Sequence, residues 1–595
     1  MNQKLDTSLS LSLRLSEEER MKSTLLRTGY QRDGKLWRLI LLYEGSLEEV
    51  SRELSFFAIP LLGNFAIIEI AETKLPALLE YPQVLYLELP GPLYQEEITG
   101  MGASCFSKRP FSPENDSDGT LTGDGTAVAI LDSGVDFRHP DFCTPEGRSR
   151  ILFYWDQSLP YDGSNRYRLG HIFTEEELSL LLSGAAPSGA VAPSPDSSGH
   201  GTHVAGICAG NGRASGGRNH GAAPMASLLV VKLKNDASSV FTDYANLMLA
   251  VDFVVRCANE LEMPLSVNIS YGSNDGAHNG SSLVERFLSE VSFFGKNVVV
   301  AATGNEGLSR RHSRVTVNPG TSRLIPFRIS PGEQSMYLQL WKPYAETFSY
   351  GLFLPDGKEE LIVPGTPGLS RFNREDMQLF FFINEPGPYQ PLQEVFLVLL
   401  PDTGRQSLAS GQWQLRILSG EKQSVPVDLW LPSREATGQA TGFLEPSAYG
   451  TLTIPSTAKN VISVGGYDSS LDVFASFSGR GFEFSQPSAP NLCAPAVNIL
   501  STAPGGGYTV RTGTSMAAPF VTGAASLLMQ YGIVNGQDPF LYGEKIKALL
   551  QKGARPLPGF SVYPNPSAGW GALCLKDSLP SGILSPADSV SQNVP

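Results

Sequence analysis

Four stretches of this chain join an apolar run to a residue that can do chemistry. AVAIL runs into Asp132, and NVVVAA runs on to Gly304 and Asn305. GHGTHVAGI opens an apolar helix at His200, and the apolar stretch Ala517 to Met529 opens just at Ser515. An apolar run without alternation marks a parallel strand buried on both faces. Such strands, joined by apolar helices, build an α/β core. Open α/β sheets hold their sites outside the carboxyl ends of the strands. Asp132 and Asn305 are therefore expected on the working edge of a parallel sheet, with His200 and Ser515 at helix mouths.

Together the four supply a nucleophile, a base, an orienting carboxylate and an oxyanion donor. A serine hydroxyl is a weak nucleophile until a base takes its proton. Ser515 lies in Gly513-Thr514-Ser515-Met516-Ala517-Ala518-Pro519, whose small residues let a substrate approach. A helix start also favours negative charge; alone, the residue reads equally as a helix cap. His200, between two glycines, is the expected base, and His203, one turn in, is expected to pack and hydrogen-bond inside. Asp132 would hold His200 in one tautomer and stabilise its imidazolium. Asn305 would donate its amide to a tetrahedral oxyanion; alone, it is a turn residue beside Gly304. Asp136 and His139 read as structural turn residues after the strand. The His200–His203 spacing raises zinc, but no HExxH pattern or nearby cysteine or carboxylate set supports it.

Asp, then His, then Ser is one of three unrelated chain orders of the serine-hydrolase triad. The strings LDSGVD, HGTHVAG, AATGNEG and GTSMAAP follow one another in that order. They resemble those of the subtilisin-like serine proteases, or subtilases, over about residues 120–311 and 447–575. The resemblance implies that Asp132, His200 and Ser515 form the triad and that Asn305 supplies the oxyanion side chain. It also implies that Val267-Asn268-Ile269-Ser270-Tyr271-Gly272 is the edge strand that pairs with substrate backbone, with Ser270, Tyr271 and Gly272 binding substrate, and that Gly304 belongs to the opposite wall of the specificity pocket. Subtilases often hold calcium through a carboxylate after the triad Asp and a loop after the triad His. Asp141 matches the first element; the loop Asn211 to Gly221 does not match the second. No metal and no cofactor is assigned.

At 595 residues the chain exceeds one core. Its composition, 41% hydrophobic and 17% charged, is that of a globular protein. A net charge of −14 offers no basic face to nucleic acid. The six cysteines, 105, 143, 208, 257, 493 and 574, show neither a disulfide framework nor a metal pair. Cys208 and Cys257 are expected to be buried thiols, which favours a reducing compartment. The start, MNQKLDTSLSLSLRLSEEER, reads as a polar lead without a secretory signal. No apolar span long enough for a membrane helix is expected.

Residues 1–95 differ from the rest. After the lead they read strand (Leu36 to Tyr43), helix (Ser46 to Phe56), strand (Asn64 to Ile70), helix (Glu72 to Tyr81) and strand (Val84 to Leu89), a small α+β sandwich. In place and pattern this resembles a subtilase prodomain. The catalytic part follows at 96–311 and resumes at 447–575. Between Asp132 and His200 it carries an extra strand (ILFYW) and helix (FTEEELSLLLSG). Between the two parts, short runs such as MYLQLW, QLFFFIN and EVFLVLL, punctuated by Gly, Pro and Asp, predict an antiparallel β-sandwich or jelly roll at 312–446. Residues 576–595 are polar and expected to be disordered.

A prodomain, a subtilase core, an inserted sandwich and a closing PNPSAGWGALCL together resemble the clostridial spore germination proteases and related bacterial subtilases. In that group the prodomain is cut but often stays bound, the jelly roll rigidifies the core, and the target is a cortex-lytic enzyme zymogen. Two readings follow. One is a serine endopeptidase made as a self-processing proenzyme and cut near Gln95, with a protein or peptide substrate and its own prodomain in the cleft. The other is a regulatory scaffold whose cleft the prodomain plugs permanently. The expected protein is a monomer without a membrane span, cytoplasmic or spore-associated.

Overall fold

The computed structural model describes residues 3–95, 121–235, 241–355, 357, 360–374, 376–385, 387–402, 405–420, 423–483 and 490–580. Its centre is a nine-stranded sheet. Ala127–Asp132 lies in the middle, parallel to Leu265–Ile269 on one side and Ser227–Lys232 on the other. Asn297–Ala302 and Ile462–Asp468 extend one flank, and Ile151–Asp156 the other, all parallel. Every residue of Ala127–Asp132, Leu265–Ile269 and Asn297–Ala302 is buried. This is why these strands read as unbroken apolar runs.

Alternate side chains of one strand feed two cores. Ala127, Ala129 and Leu131 pack with the helices Tyr244–Glu260 and Leu283–Val291, while Val128 and Ile130 pack with His200–Ala209 on the other face. The helix Thr514–Met529 completes that second face against Val298 and Val300. With the π turn that continues it to Val534, this helix is 21 residues long and apolar enough to cross a bilayer. The expectation that no such span exists is thus corrected. Its composition has another source: 78% of its most apolar 18-residue stretch is buried inside the core.

The expected prodomain is a five-stranded antiparallel sheet, with Leu36–Tyr43 paired to Phe65–Ala71 and Val84–Glu88. The strand Phe57–Pro60 escaped the sequence reading, and the first helix is shorter than expected, Glu48–Leu54. One sheet face, with Ile40, Leu42, Phe65 and Ile67, lies on the two core helices Tyr244–Glu260 and Leu283–Val291. The lead is also corrected. It forms three short helices, Thr7–Ser12, Glu17–Met21 and Thr24–Arg27. Leu11, Leu15, Leu25 and Leu26 insert against Tyr337, Phe380, Phe382 and Phe396 of the inserted domain. Leucines scattered among serines hid that apolar face.

The insertion is a sandwich of two antiparallel sheets, six- and five-stranded, closed over a core that includes Trp413, Phe381 and Leu397. Near the carboxyl end, the helix Leu575–Ser578 overlaps the start of the stretch expected to be disordered, 576–595; residues 581–595 lie outside the described residues. Cys143, Cys208, Cys257 and Cys493 are buried free thiols. Cys105 lies outside the described residues.

Candidate active site

Asp132 closes the central strand and is fully buried. Its Oδ1 accepts the Ser133 N–H at 2.7 Å and meets His200 Nδ1 at 2.7 Å. A carboxylate at that distance accepts a hydrogen bond from Nδ1–H, so the lone pair of the neutral imidazole sits on Nε2. Gly199, with φ 68°, turns the chain into the helix His200–Ala209. Gly201 must be glycine, because a Cβ there would lie 2.1 Å from the Gly134 carbonyl and 2.9 Å from Asp132 Cβ. The close approach of helix to strand brings His200 to Asp132.

Ser515 is the second residue of the helix Thr514–Met529 and is buried. Its Oγ donates to the Ser270 carbonyl at 3.3 Å, and Ser270 Oγ donates back to the Ser515 carbonyl at 3.2 Å. This reciprocal pair ties the serine to the start of the expected substrate strand. Beside it, Asn305 Oδ1 accepts from Thr514 N at 3.0 Å and Thr514 Oγ1 at 3.2 Å. Those bonds fix which end of the amide is oxygen. Asn305 Nδ2 is a buried donor without a partner among the described residues. An unpaired buried N–H group costs stability. Next to a nucleophile, it can receive an oxyanion.

The cleft is filled by the chain itself. Pro92–Gln95 lies between Thr242–Asp243 and Tyr271–Gly272 as the middle strand of a three-stranded antiparallel sheet. Tyr94 faces Gly272 and Gln95 faces Tyr271, while Leu93 faces Thr242. Gly91 passes so close to Tyr244 that a Cβ would lie 2.6 Å from its ring. Of the four expected substrate-binding residues, Tyr271 and Gly272 pair with this segment. Ser270 meets Ser515 instead, and Gly304, at φ 86°, anchors Gly479 through its carbonyl at 2.9 Å. The second wall, Thr242–Asp243, was missed. Its recognition is by backbone, so no side-chain pattern marks it. Most of the region expected to be cut lies outside the described residues.

The remaining polar residues are structural, as expected. His203 Nε2 donates to the Ile499 and Thr509 carbonyls at 3.0 and 3.2 Å. Burial, with Arg511 and His200 nearby, pushes its pKa down to about 3. Asp136 accepts from Gly505 N, and His139 bridges Gly507 O and Asp141 N. The Asp141 carboxylate does not fit a calcium ion. Its Oδ1 accepts Ala214 N–H and its Oδ2 accepts the Tyr508 hydroxyl, both at 2.8 Å. Arg213 binds the Thr144 and Pro145 carbonyls, and Arg150 binds that of Asp141. Guanidinium groups occupy the acceptors a cation would need.

Comparison with known proteins agrees with this geometry. Residues 3–91 match the Csp protease B prodomain family, and residues 123–330 and 436–571 match the subtilase family, leaving out most of the inserted sandwich. The solved CspB protease of Clostridium perfringens is 34% identical, with a TM-score of 0.71, over 78% of this chain and 94% of that one. The minor extracellular protease Vpr of Bacillus subtilis is 27% identical over 80% of this chain and 54% of its own length. A PII-type proteinase of Lactococcus lactis subsp. cremoris is 24% identical over 70% of this chain and 23% of its own. This chain thus spans about half or less of the length of those two relatives. The match covers more than half of the chain: it belongs to the subtilase family of serine proteases and carries a prodomain of the Csp protease B type.

Proposed function

We propose that the chain is a serine endopeptidase made as a proenzyme that cuts itself just beyond Gln95. The observation that carries this is the pairing of Pro92–Gln95 on both sides, as a peptide substrate would be held, next to the Ser270–Ser515 pair. In the reaction, Ser515 Oγ attacks the scissile carbonyl as His200 Nε2 takes its proton. Asp132 stabilises the imidazolium. The oxyanion receives Asn305 Nδ2–H and the Ser515 backbone N–H. His200 then gives the proton to the leaving amine, and water releases the acyl group by the same steps in reverse.

The supported substrate class is a protein or peptide. The likeness to the CspB protease favours a zymogen such as a spore cortex-lytic enzyme, met in the cytoplasm or the spore by a monomer. The second reading, a scaffold locked by its prodomain, draws on the depth of the prodomain's seat: Leu93 and Tyr94 are buried in the cleft. A fluorophosphonate probe and the length of the purified chain separate the two. The endopeptidase labels at Ser515 and loses its prodomain bond, and Ser515→Ala stays full length and unlabelled. A wild-type chain that stays whole and unlabelled is the scaffold.

A further inference from the structure

Backbone pairing holds any sequence, but Gln95 is also held by its side chain. Its Nε2 donates to the Tyr271 hydroxyl at 2.9 Å and to Ser198 Oγ at 3.4 Å. We propose that Tyr271 and Ser198 form a glutamine-selective subsite, so that substrates of this chain carry glutamine where Gln95 lies, preceded by an apolar and an aromatic residue. The inference rests on the endopeptidase reading above and names the substrate class of that same site.

The chemistry of the rim favours an uncharged donor. Ser198 Oγ donates to Ser133 Oγ at 2.9 Å and shares Asp196 Oδ1 at 3.3 Å, while Ser133 Oγ donates to the same Asp196 oxygen at 2.8 Å. The Ser198 proton is therefore committed inward, and its oxygen faces the cleft as an acceptor. Tyr271 is fully buried, and the carboxylates of Asp132 and Asp196 act on its hydroxyl. A glutamate at Gln95's place would set its carboxylate against the Ser198 oxygen and in the field of Asp132 and Asp196, which costs binding. A methionine would fill the volume and leave the Tyr271 hydroxyl without its amide partner, while Ser198 Oγ keeps the His200 N–H at 3.2 Å. A lysine ends in a compact, strongly hydrated charge rather than a planar amide.

The two preceding positions are set by packing. Leu93 is fully buried in the cluster that holds Tyr244 and Met248. The Tyr94 ring lies 5.7 Å from that of Phe241. The subsites in order thus take an aliphatic, an aromatic and an amide side chain.

The first test needs no catalysis. In the full-length Ser515→Ala chain, amide hydrogen exchange of Leu93, Tyr94 and Gln95 reports how firmly the segment is held. Adding Gln95→Glu should lower protection about 10²-fold and Gln95→Met about tenfold. Undiminished protection in Gln95→Glu overturns the proposal. The second test uses the processed wild type and peptides that differ only in the residue after Leu-Tyr. Glutamine should exceed methionine about tenfold in kcat/KM and glutamate by about 10². Tyr271→Phe should bring the glutamine-to-methionine ratio to within about threefold of one. Equal cleavage of all peptides, or a preference for lysine, overturns the subsite. Failure of every peptide together with failure of probe labelling counts against the endopeptidase instead, and hydrogen exchange then decides the subsite alone.

Discussion

Two of the regions in which this molecule buries carboxylates keep them differently. Asp132 meets an imidazole and a backbone N–H on one oxygen, so its charge has a partner. The contrasting region is the seam where prodomain, core and sandwich meet. There a cavity of about 100 Å³ is lined by Asp6 of the lead, Glu88 of the last prodomain strand, Asp275 of the loop after Tyr271–Gly272, and Glu394 of the sandwich. No lysine, arginine or histidine lines it among the described residues. The carboxyls do accept hydrogen bonds: Asp6 from Leu9 and Leu89, Glu88 from Leu283, Asp275 from Tyr337 and Ser273, Glu394 from Gln339. Burial still dominates. It pushes Asp275 up to about 6, Asp6 to about 7, Glu394 to about 8, and Glu88 well above the usual carboxylate range. One place sets its carboxylate beside an imidazole, whereas the seam between parts raises the pKa of its carboxyls by burial.

The comparison breaks most visibly at the paired site. His200→Ala removes the base and leaves the buried Asp132 carboxylate without its imidazole. The expected loss is about 10⁴-fold or more in kcat/KM on any cleaved peptide. Retention within tenfold would show that the pair is structural. Asn305→Ala should cost about 10²–10³ in kcat with a smaller change in KM, and melting should hardly move. That magnitude is the known cost of removing the corresponding amide from subtilisin, a member of the same family. The fold should survive because the amide fills no core volume and its Nδ2 holds no protein partner among the described residues.

The seam should respond to pH in the opposite sense from an ion pair. A carboxyl whose folded pKa is raised contributes its full stability below its unfolded value, near 4, and loses it as pH rises through the folded value. For these groups the loss spans about pH 4 to 8. Arg286 and Arg27 are the cations that act near it. Arg286 partly offsets Glu88 and stacks 4.4 Å over Tyr389, and Arg27 acts on Tyr94. Melting of the full-length Ser515→Ala chain should therefore fall by about 3 °C or more between pH 5 and 9. Asp6→Asn with Glu394→Gln should flatten that slope, since Asn still caps the first helix. A slope undiminished in the double variant would show that Asp6 and Glu394 do not carry the titration.

How far each region could be read beforehand follows from the same physics. Asp132, His200, Asn305 and Ser515 were legible because each ends an apolar run or opens an apolar helix, and the sheet then gathers their ends. Tyr271 and Gly272 were legible through family likeness alone. The seam was not legible. Asp6 lies in a stretch that reads as solvated, and Glu88, Asp275 and Glu394 look like ordinary surface acids until three separate parts close over them. The lead's helices were lost for a similar reason. Their leucines have no partner within the lead, and Phe380, Phe382 and Phe396, which receive Leu11 and Leu26, lie more than 350 residues on.

Asp141 offers the smallest and sharpest test, because it is a further buried carboxylate, at the place where the sequence matched one element of a calcium site. Here its oxygens already take an N–H and a phenol, and the neighbouring carbonyls take Arg213 and Arg150. Arg150 is itself held by three carbonyls, those of Asp141, Ala209 and Ala226, and burial lowers its pKa to about 10, so it remains a cation at neutral pH. A protein-borne cation cannot be chelated away. EDTA should leave the melting temperature within about 1 °C, while Arg213→Ala should lower stability by about 1 kcal/mol, a modest figure because this side chain is exposed. If chelation instead costs several degrees and calcium restores them, Asp141 turns its oxygens to a metal, and it then belongs with Asp132 among the paired carboxylates rather than with neutral donors.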